Sequence, residues 1–309
     1  MNASPASPSS FPPAAVAALC VALVFWSSAF VAIRAALPDF SPGHLACLRF
    51  LTASACLVPL VIVHRLRNGY FPPPRLRDLP GIFLHGFVGF FVYHLLLNEG
   101  EKTVTGASAA FLIGAIPVSS TLLAALFLKE TLTCRAILGL VVSMVGVSVI
   151  ALGEGGGMTF DRGAILVLVA AVAESVYFVA IKERLARYGS LAYTIYTMWA
   201  GTIFLCLRLP GLGEAVANAS PQGFWSVIYL GVCPAALGYV LWNFALSKGQ
   251  VGWISSTQFS QPFIAMAVGL IWLGELPGPV SIVGGLVAIA GAAITTGQVA
   301  MLARRWRKA

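Results

Sequence analysis

The chain has 309 residues, of which 59% are hydrophobic and 10% are charged, and its formal net charge is +8. Soluble domains average about 25% charged residues, and a water-soluble protein of this length has too little interior to hide so much apolar surface, so the composition excludes a soluble globular protein. The basic residues form short clusters between apolar runs, a pattern that indicates membrane topology and argues against a nucleic-acid partner.

Ten apolar runs are long enough to be spanning helices, because about 20 mainly apolar residues cross a bilayer. In chain order, these runs are 14–36, 43–64, 80–98, 104–128, 134–153, 161–182, 191–209, 222–246, 251–273 and 279–300. The Ser/Pro-rich segment 1–13 is predicted to be a disordered tail, and 301–309 is a basic tail. The sequence therefore predicts an all-α polytopic membrane protein with ten transmembrane helices.

The basic residues also orient the predicted bundle. If both termini and the even-numbered links share one side, that side holds 14 of the 19 basic residues, the other side holds 4, and Arg49 lies inside a helix. Positively charged loops stay in the cytoplasm. Both termini are therefore predicted to be cytoplasmic, and the protein is expected in the inner membrane of a bacterium.

The two halves of the sequence resemble each other. The segment 30–34, Phe-Val-Ala-Ile-Arg, reappears at 178–182 as Phe-Val-Ala-Ile-Lys. Further matched positions are Pro117, Glu130, Gly139 and Gly146 against Pro262, Glu275, Gly284 and Gly291. Because each unit has five helices, the units 14–153 and 161–300 are predicted to be inverted repeats around a central cavity. Such repeats are typical of transporters, although duplication could also serve only to build a scaffold.

These motifs resemble EamA-type members of the drug/metabolite transporter superfamily over residues 14–300. The resemblance rests on an aromatic-Ser-Ser-x-Phe-Val-Ala-Ile-Arg ending of the first helix and on Phe-Leu-Lys-Glu-Thr-Leu before a Gly-rich helix. It implies a ten-helix exporter fold with a central cavity, and the best-known bacterial branch exports amino acids and related metabolites. Among these, the aromatic amino-acid exporters are the most similar, because of Tyr93 and His94 on an aromatic third helix.

The third predicted helix carries a candidate substrate face. Phe87, Phe91, His94 and Asn98 follow a 4-3-4 spacing that puts them on one side of an α-helix, and Tyr93 flanks them. Rings that end in a histidine and an amide suit a pocket for a small, partly apolar solute. The alternative is aromatic helix packing around a histidine whose hydrogen bonds are satisfied.

The sixth predicted helix contains Glu174, the only acidic residue well inside a span, with Tyr177 one turn later. A carboxylate in the membrane needs a cation or water. Glu174 is therefore expected to pair with Arg49 as a structural bridge, to contact a substrate ammonium group, or to carry a coupling proton. The repeat register matches Glu174 with Trp26 of the first helix, a further candidate.

The remaining candidates lie on the seventh, eighth and ninth predicted helices. Tyr239 and Asn243 are one turn apart, and Gln258 belongs to the polar stretch 255–261. Such a stretch is costly against lipid, so it is expected either to line the cavity or to form hydrogen bonds between helices. Trp199 is expected either to close the pocket or to anchor its helix at the membrane interface.

Motif searches favour secondary transport. The sequence contains no G-x-x-x-x-G-K-[ST], H-E-x-x-H or G-x-S-x-G, so ATP hydrolysis, enzyme activity, a metal and a cofactor are not expected. The prediction is a secondary-active or exchange-type exporter of small metabolites, with amino acids as the first choice and aromatic or hydrophobic ones among them, that works by alternating access as a monomer or homodimer. The alternatives are an exporter of drugs or other amphipathic metabolites, a membrane-embedded enzyme and a passive channel.

Overall fold

A computed structural model of the chain describes residues 12–130, 133–154, 162–274 and 278–295, and these ranges contain helices and connecting loops with no β-strand. The predicted tails, 1–13 and 301–309, lie outside the described residues except at 12–13. Glu275, matched with Glu130 in the sequence, also lies outside them.

The helices follow the apolar runs of the sequence closely. In chain order they are α1 (Pro13–Ala36), α2 (Pro42–Asn68), α3 (Leu76–Gly100), α4 (Gly106–Ile113 and Ala115–Leu128), α5 (Cys134–Glu154), α6 (Arg162–Tyr188), α7 (Ser190–Arg208), α8 (Leu212–Asn218), α9 (Pro221–Lys248), α10 (Val251–Ser256, Thr257–Ser260 and Gln261–Leu273) and α11 (Pro279–Thr295). Within the described ranges, seven of them are long and apolar enough to cross a membrane: α1, α2, α3, α4, α6, α7 and α9. The chain is therefore an all-helical, polytopic membrane protein.

Local sequence signals fix several helix ends. Ser41 and Ser220 precede Pro42 and Pro221, and each serine side chain accepts a backbone N–H of the first turn of α2 or α9. A serine at the N-cap accepts a backbone N–H that has no partner within the helix. A proline at the first helical position already has the φ angle of a helix. Helix α2 ends at Gly69, whose φ of 68° suits a residue without a side chain.

Two helices contain a wide π-turn at matching places in the two halves of the chain. Phe87–Val92 is π-helical in α3, and Gly231–Gly238 is π-helical in α9. Pro234 lies inside the second π-segment and has no N–H to donate, and its carbonyl accepts the indole N–H of Trp26 at 3.0 Å. Each π-segment changes which side chains the helix turns inward, which decides the composition of the site.

Helices α5 and α11 pack with their backbones in close contact. A Cβ added to Gly146 would lie 2.4 Å from the carbonyl oxygen of Gly284, and one added to Gly291 would lie 2.5 Å from that of Gly139. The contact partners run in opposite directions along the two helices, so the helices are antiparallel. Because glycine permits such approach, this glycine face is used for packing within the chain.

We expect Gly146→Ala to destabilise the protein, although alanine is the better helix former. The new methyl group would lie 2.3 Å from the backbone nitrogen of Ala288, and such overpacking costs about 1–3 kcal/mol. The apparent melting temperature in detergent should fall. The matched control is Gly81→Ala, where no heavy atom lies within 4 Å of the added carbon. Equal melting temperatures for the two variants would contradict the packing.

Helices of the first half of the chain pack against helices of the second half. Helix α1 packs against α9 and α10, and its repeat counterpart α6 packs against α3 and α4. The same arrangement thus occurs twice, once from each half of the chain. The surface between these helices is the centre of the bundle, and the candidate site lies there.

Candidate functional site

A small cavity, lined mostly by buried residues, lies where the two halves of the chain meet. It has about 20 Å³ of free space, enough for one or two water molecules. Six residues predicted from the sequence line it, namely Trp26, Tyr93, His94, Glu174, Tyr239 and Gln258. Arg49 and Gln261 add two further polar groups to the wall.

Six other predicted residues do not line this cavity. They are Phe87, Phe91, Asn98, Tyr177, Trp199 and Asn243. Their positions divide them into three groups: the stacked rings of Phe87 and Phe91, a buried polar cluster beside the cavity, and two side chains that connect helices.

Phe87 and Phe91, which α-helical spacing places on one face with His94, do not line the cavity with it. Phe87 is 36% exposed and stacks on Phe91 at 5.2 Å on the outside of the bundle, whereas His94 is buried. The π-segment Phe87–Val92 causes the difference, because its wider i→i+5 turn rotates the residues before it relative to those after it. Phe90 takes the inward position instead and lies parallel to His94, with 6.3 Å between the ring centres.

Tyr177 and Asn243 belong to a buried polar cluster beside the cavity. The Asn243 amide donates to the hydroxyls of Thr194 at 2.9 Å and Tyr177 at 3.3 Å. The Tyr177 hydroxyl also pairs with that of Thr197 at 3.2 Å. These bonds connect α6, α7 and α9, so the cluster stabilises the second half of the bundle.

Asn98 and Trp199 each connect two helices. Asn98 donates from Nδ2 to the carbonyl of Pro42 at 3.1 Å, at the beginning of α2. The Trp199 indole donates to the carbonyl of Ser54 at 3.4 Å, between α7 and α2. Both side chains thus add hydrogen bonds between helices.

Glu174 and Arg49 face the cavity with unsatisfied polar atoms. Glu174 is 2% exposed, and its Oε1 accepts the Tyr239 hydroxyl at 2.9 Å, whereas Oε2 has no hydrogen-bond partner. Arg49 is 3% exposed, and its Nε and Nη1 also have none. The structural bridge between Glu174 and Arg49, one of the three sequence-based interpretations, is therefore not formed at these atoms.

Amide groups from α10 add to this set. Neither the oxygen nor the nitrogen of the Gln258 side chain has a partner, and Nε2 of Gln261 has none either. Buried polar groups almost always form hydrogen bonds. A cluster of unsatisfied donors and acceptors around one cavity thus indicates a place that receives a polar solute.

Aromatic rings enclose the charged groups. The Trp26 ring lies 5.1 Å from that of Tyr239 and stacks on Phe178 at 6.1 Å. The rings of Tyr93 and His94 also line the cavity and pack edge to face, with 4.5 Å between their centres. The walls therefore offer apolar and cation-binding surface, and the polar atoms lie between them.

The lining residues occupy matching positions in the two repeats. The repeated motifs near the start of each half are 148 residues apart, and so are Trp26 and Glu174. The motifs near the end of each half are 145 residues apart, and the same separation relates three more pairs of lining residues. These pairs are His94 with Tyr239, Ile113 with Gln258, and Ile116 with Gln261. Gln261 was not among the residues predicted from the sequence, although it lies in the polar stretch 255–261.

Comparisons with known proteins agree with this architecture. The profile of the EamA-like transporter family matches residues 13–152 and 161–297. The uncharacterized transporter YdfC of Bacillus subtilis is 37% identical over 270 residues, which cover 87% of each chain. A probable terminal-alkyne amino-acid exporter of Streptantibioticus cattleyicolor is 40% identical over 277 residues, which cover 90% of this chain and 91% of that one.

The fold also occurs among solved structures. One crystal structure superposes with a TM-score of 0.71 and 20% sequence identity, and the match covers 96% of this chain and 98% of the other. The resemblance indicated by the sequence motifs is confirmed by the family match to both halves of the chain. The protein belongs to the EamA-like transporter family.

Proposed function

We propose that the protein is a secondary exporter of amino acids, with aromatic or hydrophobic ones as the first candidates, and that the central cavity is its binding site. The observation that carries this proposal is the cavity between the two halves. Arg49 and Glu174 both line it, each with polar atoms that have no hydrogen-bond partner, and aromatic side chains form much of its wall. A cavity of this chemistry accepts a small amphipathic solute with charges of both signs.

The proposed architecture is ten membrane-spanning helices in two inverted five-helix repeats, 14–153 and 161–300. The antiparallel packing of α5 on α11 supports the inversion, and so does the matched packing of α1 and α6. The family profile matches twice, in nearly the same ranges. Inverted repeats generate two similar openings on opposite sides of one central site.

Amino acids fit the cavity better than other solute classes. A strongly phosphorylated solute needs several cations, and Arg49 is the only lysine or arginine among the described residues that line the cavity. An apolar drug would leave the carboxylate and the amides unsatisfied at a cost. The name of the Streptantibioticus relative, a probable terminal-alkyne amino-acid exporter, supports the same substrate class.

Hydrogen bonds between the two halves close the bundle at both ends. At one end, Asp78 at the beginning of α3 binds Arg184 at 2.9 Å and accepts the Tyr188 hydroxyl at 2.5 Å, both from the end of α6. At the other end, Asp39 accepts the Ser220 hydroxyl at 2.5 Å. We assign the Asp78 end to the cytoplasm, because the clustered basic residues lie there.

The small free volume of the cavity supports alternating access. Its free space of about 20 Å³ is smaller than any amino acid, so one set of closing bonds must break for a solute to enter or leave. Breaking the Asp78 bonds would open the cavity to the cytoplasm, and breaking the Asp39 bond would open it to the opposite side. Movement of one half against the other produces this alternation in inverted-repeat transporters.

Efflux from cells tests the proposal. Bacteria that express the protein should resist toxic amino-acid analogues and release preloaded labelled phenylalanine or leucine faster than cells that express an Arg49→Gln/Glu174→Gln variant. Membrane levels of both proteins must be equal. Resistance to drugs without any effect on a panel of labelled amino acids would contradict the proposed substrate class.

A further inference from the structure

We infer that the cavity binds its solute between two opposite charges, with Arg49 on the carboxylate and Glu174 on the ammonium group of an amino acid. The inference rests on the proposed function and adds the orientation of the solute and the origin of its selectivity. It predicts that a zwitterion is bound, whereas an amine or a carboxylic acid of the same shape is bound poorly.

Arg49 provides the cationic end. Its guanidinium group lies 5.5 Å from the centre of the Phe50 ring and lines the cavity, and Nε and Nη1 have no hydrogen-bond partner. A guanidinium presents parallel N–H donors that match the two oxygens of a carboxylate. An arginine buried to 3% exposure without a partner is costly, and a bound carboxylate would remove that cost.

Glu174 provides the anionic end. The Tyr239 hydroxyl holds Oε1 at 2.9 Å, which orients the carboxylate and leaves Oε2 for a second donor. Trp26 lies beside Tyr239, and its indole is fixed by a hydrogen bond to the Pro234 carbonyl. An ammonium group at Oε2 would thus gain an ion pair and an aromatic face nearby.

The two charges come from different halves of the duplicated chain. At the repeat position of Glu174 the first half has Trp26, and at the repeat position of Arg49 the second half has Thr197, which lies in the polar cluster outside the cavity. The duplication has therefore diverged so that each half supplies one charge. A zwitterion would bind both halves at once, which a solute with a single charge does not achieve.

Binding of matched analogues tests the orientation directly. The probes are L-phenylalanine, 2-phenylethylamine, which lacks the carboxylate, and 3-phenylpropionate, which lacks the ammonium group. Isothermal titration on the purified full-length protein measures binding without requiring transport. Arg65→Gln and Glu214→Gln serve as controls, because both side chains are exposed and distant from the cavity lining.

We expect the wild type and both controls to bind phenylalanine at least about tenfold more tightly than either analogue, as loss of one charged hydrogen bond implies. Arg49→Gln should bind phenylalanine and phenylethylamine equally and still prefer phenylalanine to phenylpropionate. Glu174→Gln should bind phenylalanine and phenylpropionate equally and still prefer phenylalanine to phenylethylamine. Arg49→Lys should still prefer phenylalanine to both analogues but bind it more weakly, because lysine keeps the positive charge and lacks the two parallel N–H donors of the guanidinium group. This variant also tests the inference if Arg49→Gln does not fold.

Three results would overturn the inference: equal binding of the amino acid and an analogue by the wild type, unchanged preferences in both glutamine variants, or no binding of phenylalanine or leucine. If preferences are unchanged while export of amino acids persists, the two-charge site is wrong and the proposed function stands. If the preferences follow the expectation but no amino acid is transported, the exporter is wrong and the binding site stands.

Discussion

Replacing Glu174 with glutamine is expected to lower the initial rate of amino-acid export by about tenfold or more. The substitution removes the only carboxylate in the cavity wall, and a hydrogen bond to a charged group contributes about 1.5–3 kcal/mol. The rate is measured as release of labelled phenylalanine from proteoliposomes. Glu214→Gln, an exposed control on α8, should keep the wild-type rate.

The same variant distinguishes the two remaining interpretations of Glu174. If the carboxylate carries a coupling proton, a pH step across the membrane changes the wild-type rate, and the glutamine variant does not respond to the step. If it binds the substrate ammonium group, the wild-type rate is insensitive to the step. A full export rate in Glu174→Gln would contradict both interpretations.

Replacing Asp78 with asparagine is expected to open the cavity at one end of the bundle only. Asp78 is 8% exposed and pairs with Arg184, Arg187 and Tyr188, so loss of its charge weakens all three contacts between α3 and α6. In a cysteine-free background with Ala29→Cys as a reporter in the cavity wall, the rate of labelling by an impermeant maleimide should rise about tenfold.

The rise should occur when the reagent is applied from the side of Asp78 and not from the opposite side. The matched control removes the exposed ion pair between Lys102 and Glu99, 3.1 Å apart, by Lys102→Gln, which should leave labelling unchanged because exposed pairs contribute little. Equal increases from both sides, or none from either, would contradict a gate at Asp78.

Composition and hydropathy predicted the class of protein and the positions of the long helices, because lipid requires continuous apolar segments whose backbone groups are satisfied internally. The predicted end of α6, at residue 182, was less accurate. Charged residues after 182 lowered the hydropathy, yet the helix continues to Tyr188, where its side chains bind Asp78. Helix α8 was missed, since it is short and lies in a connecting segment.

The candidate site was predicted only in part, and the π-segment of α3 explains why Phe87 and Phe91 lie outside it. Spacing in an ideal α-helix placed Phe87 and Phe91 with His94, but the pattern of side chains in Phe87–Val92 does not reveal a wider turn. The positions that follow the π-segments, His94 and Tyr239, do line the cavity. Four other candidates lie outside the cavity lining because they form hydrogen bonds to neighbouring helices, which the spacing within one helix does not reveal: Asn98, Tyr177, Trp199 and Asn243.

Arg49 illustrates a second limit of the sequence. Its position inside a span was evident, and pairing with Glu174 was the simplest way to satisfy both charges. Both groups line one cavity and each has unpaired polar atoms. This orientation depends on how α2, α6 and the helices between them pack together. That arrangement is tertiary, and no local pattern encodes it.

Counterflow in proteoliposomes tests the central claim, that amino acids cross the membrane through the cavity between the two halves. Vesicles preloaded with unlabelled phenylalanine or leucine and diluted into the labelled amino acid should accumulate label transiently when they contain the wild type. They should not do so with the Arg49→Gln/Glu174→Gln variant. Absence of counterflow with every amino acid tested, or full counterflow in the double variant, would contradict the account.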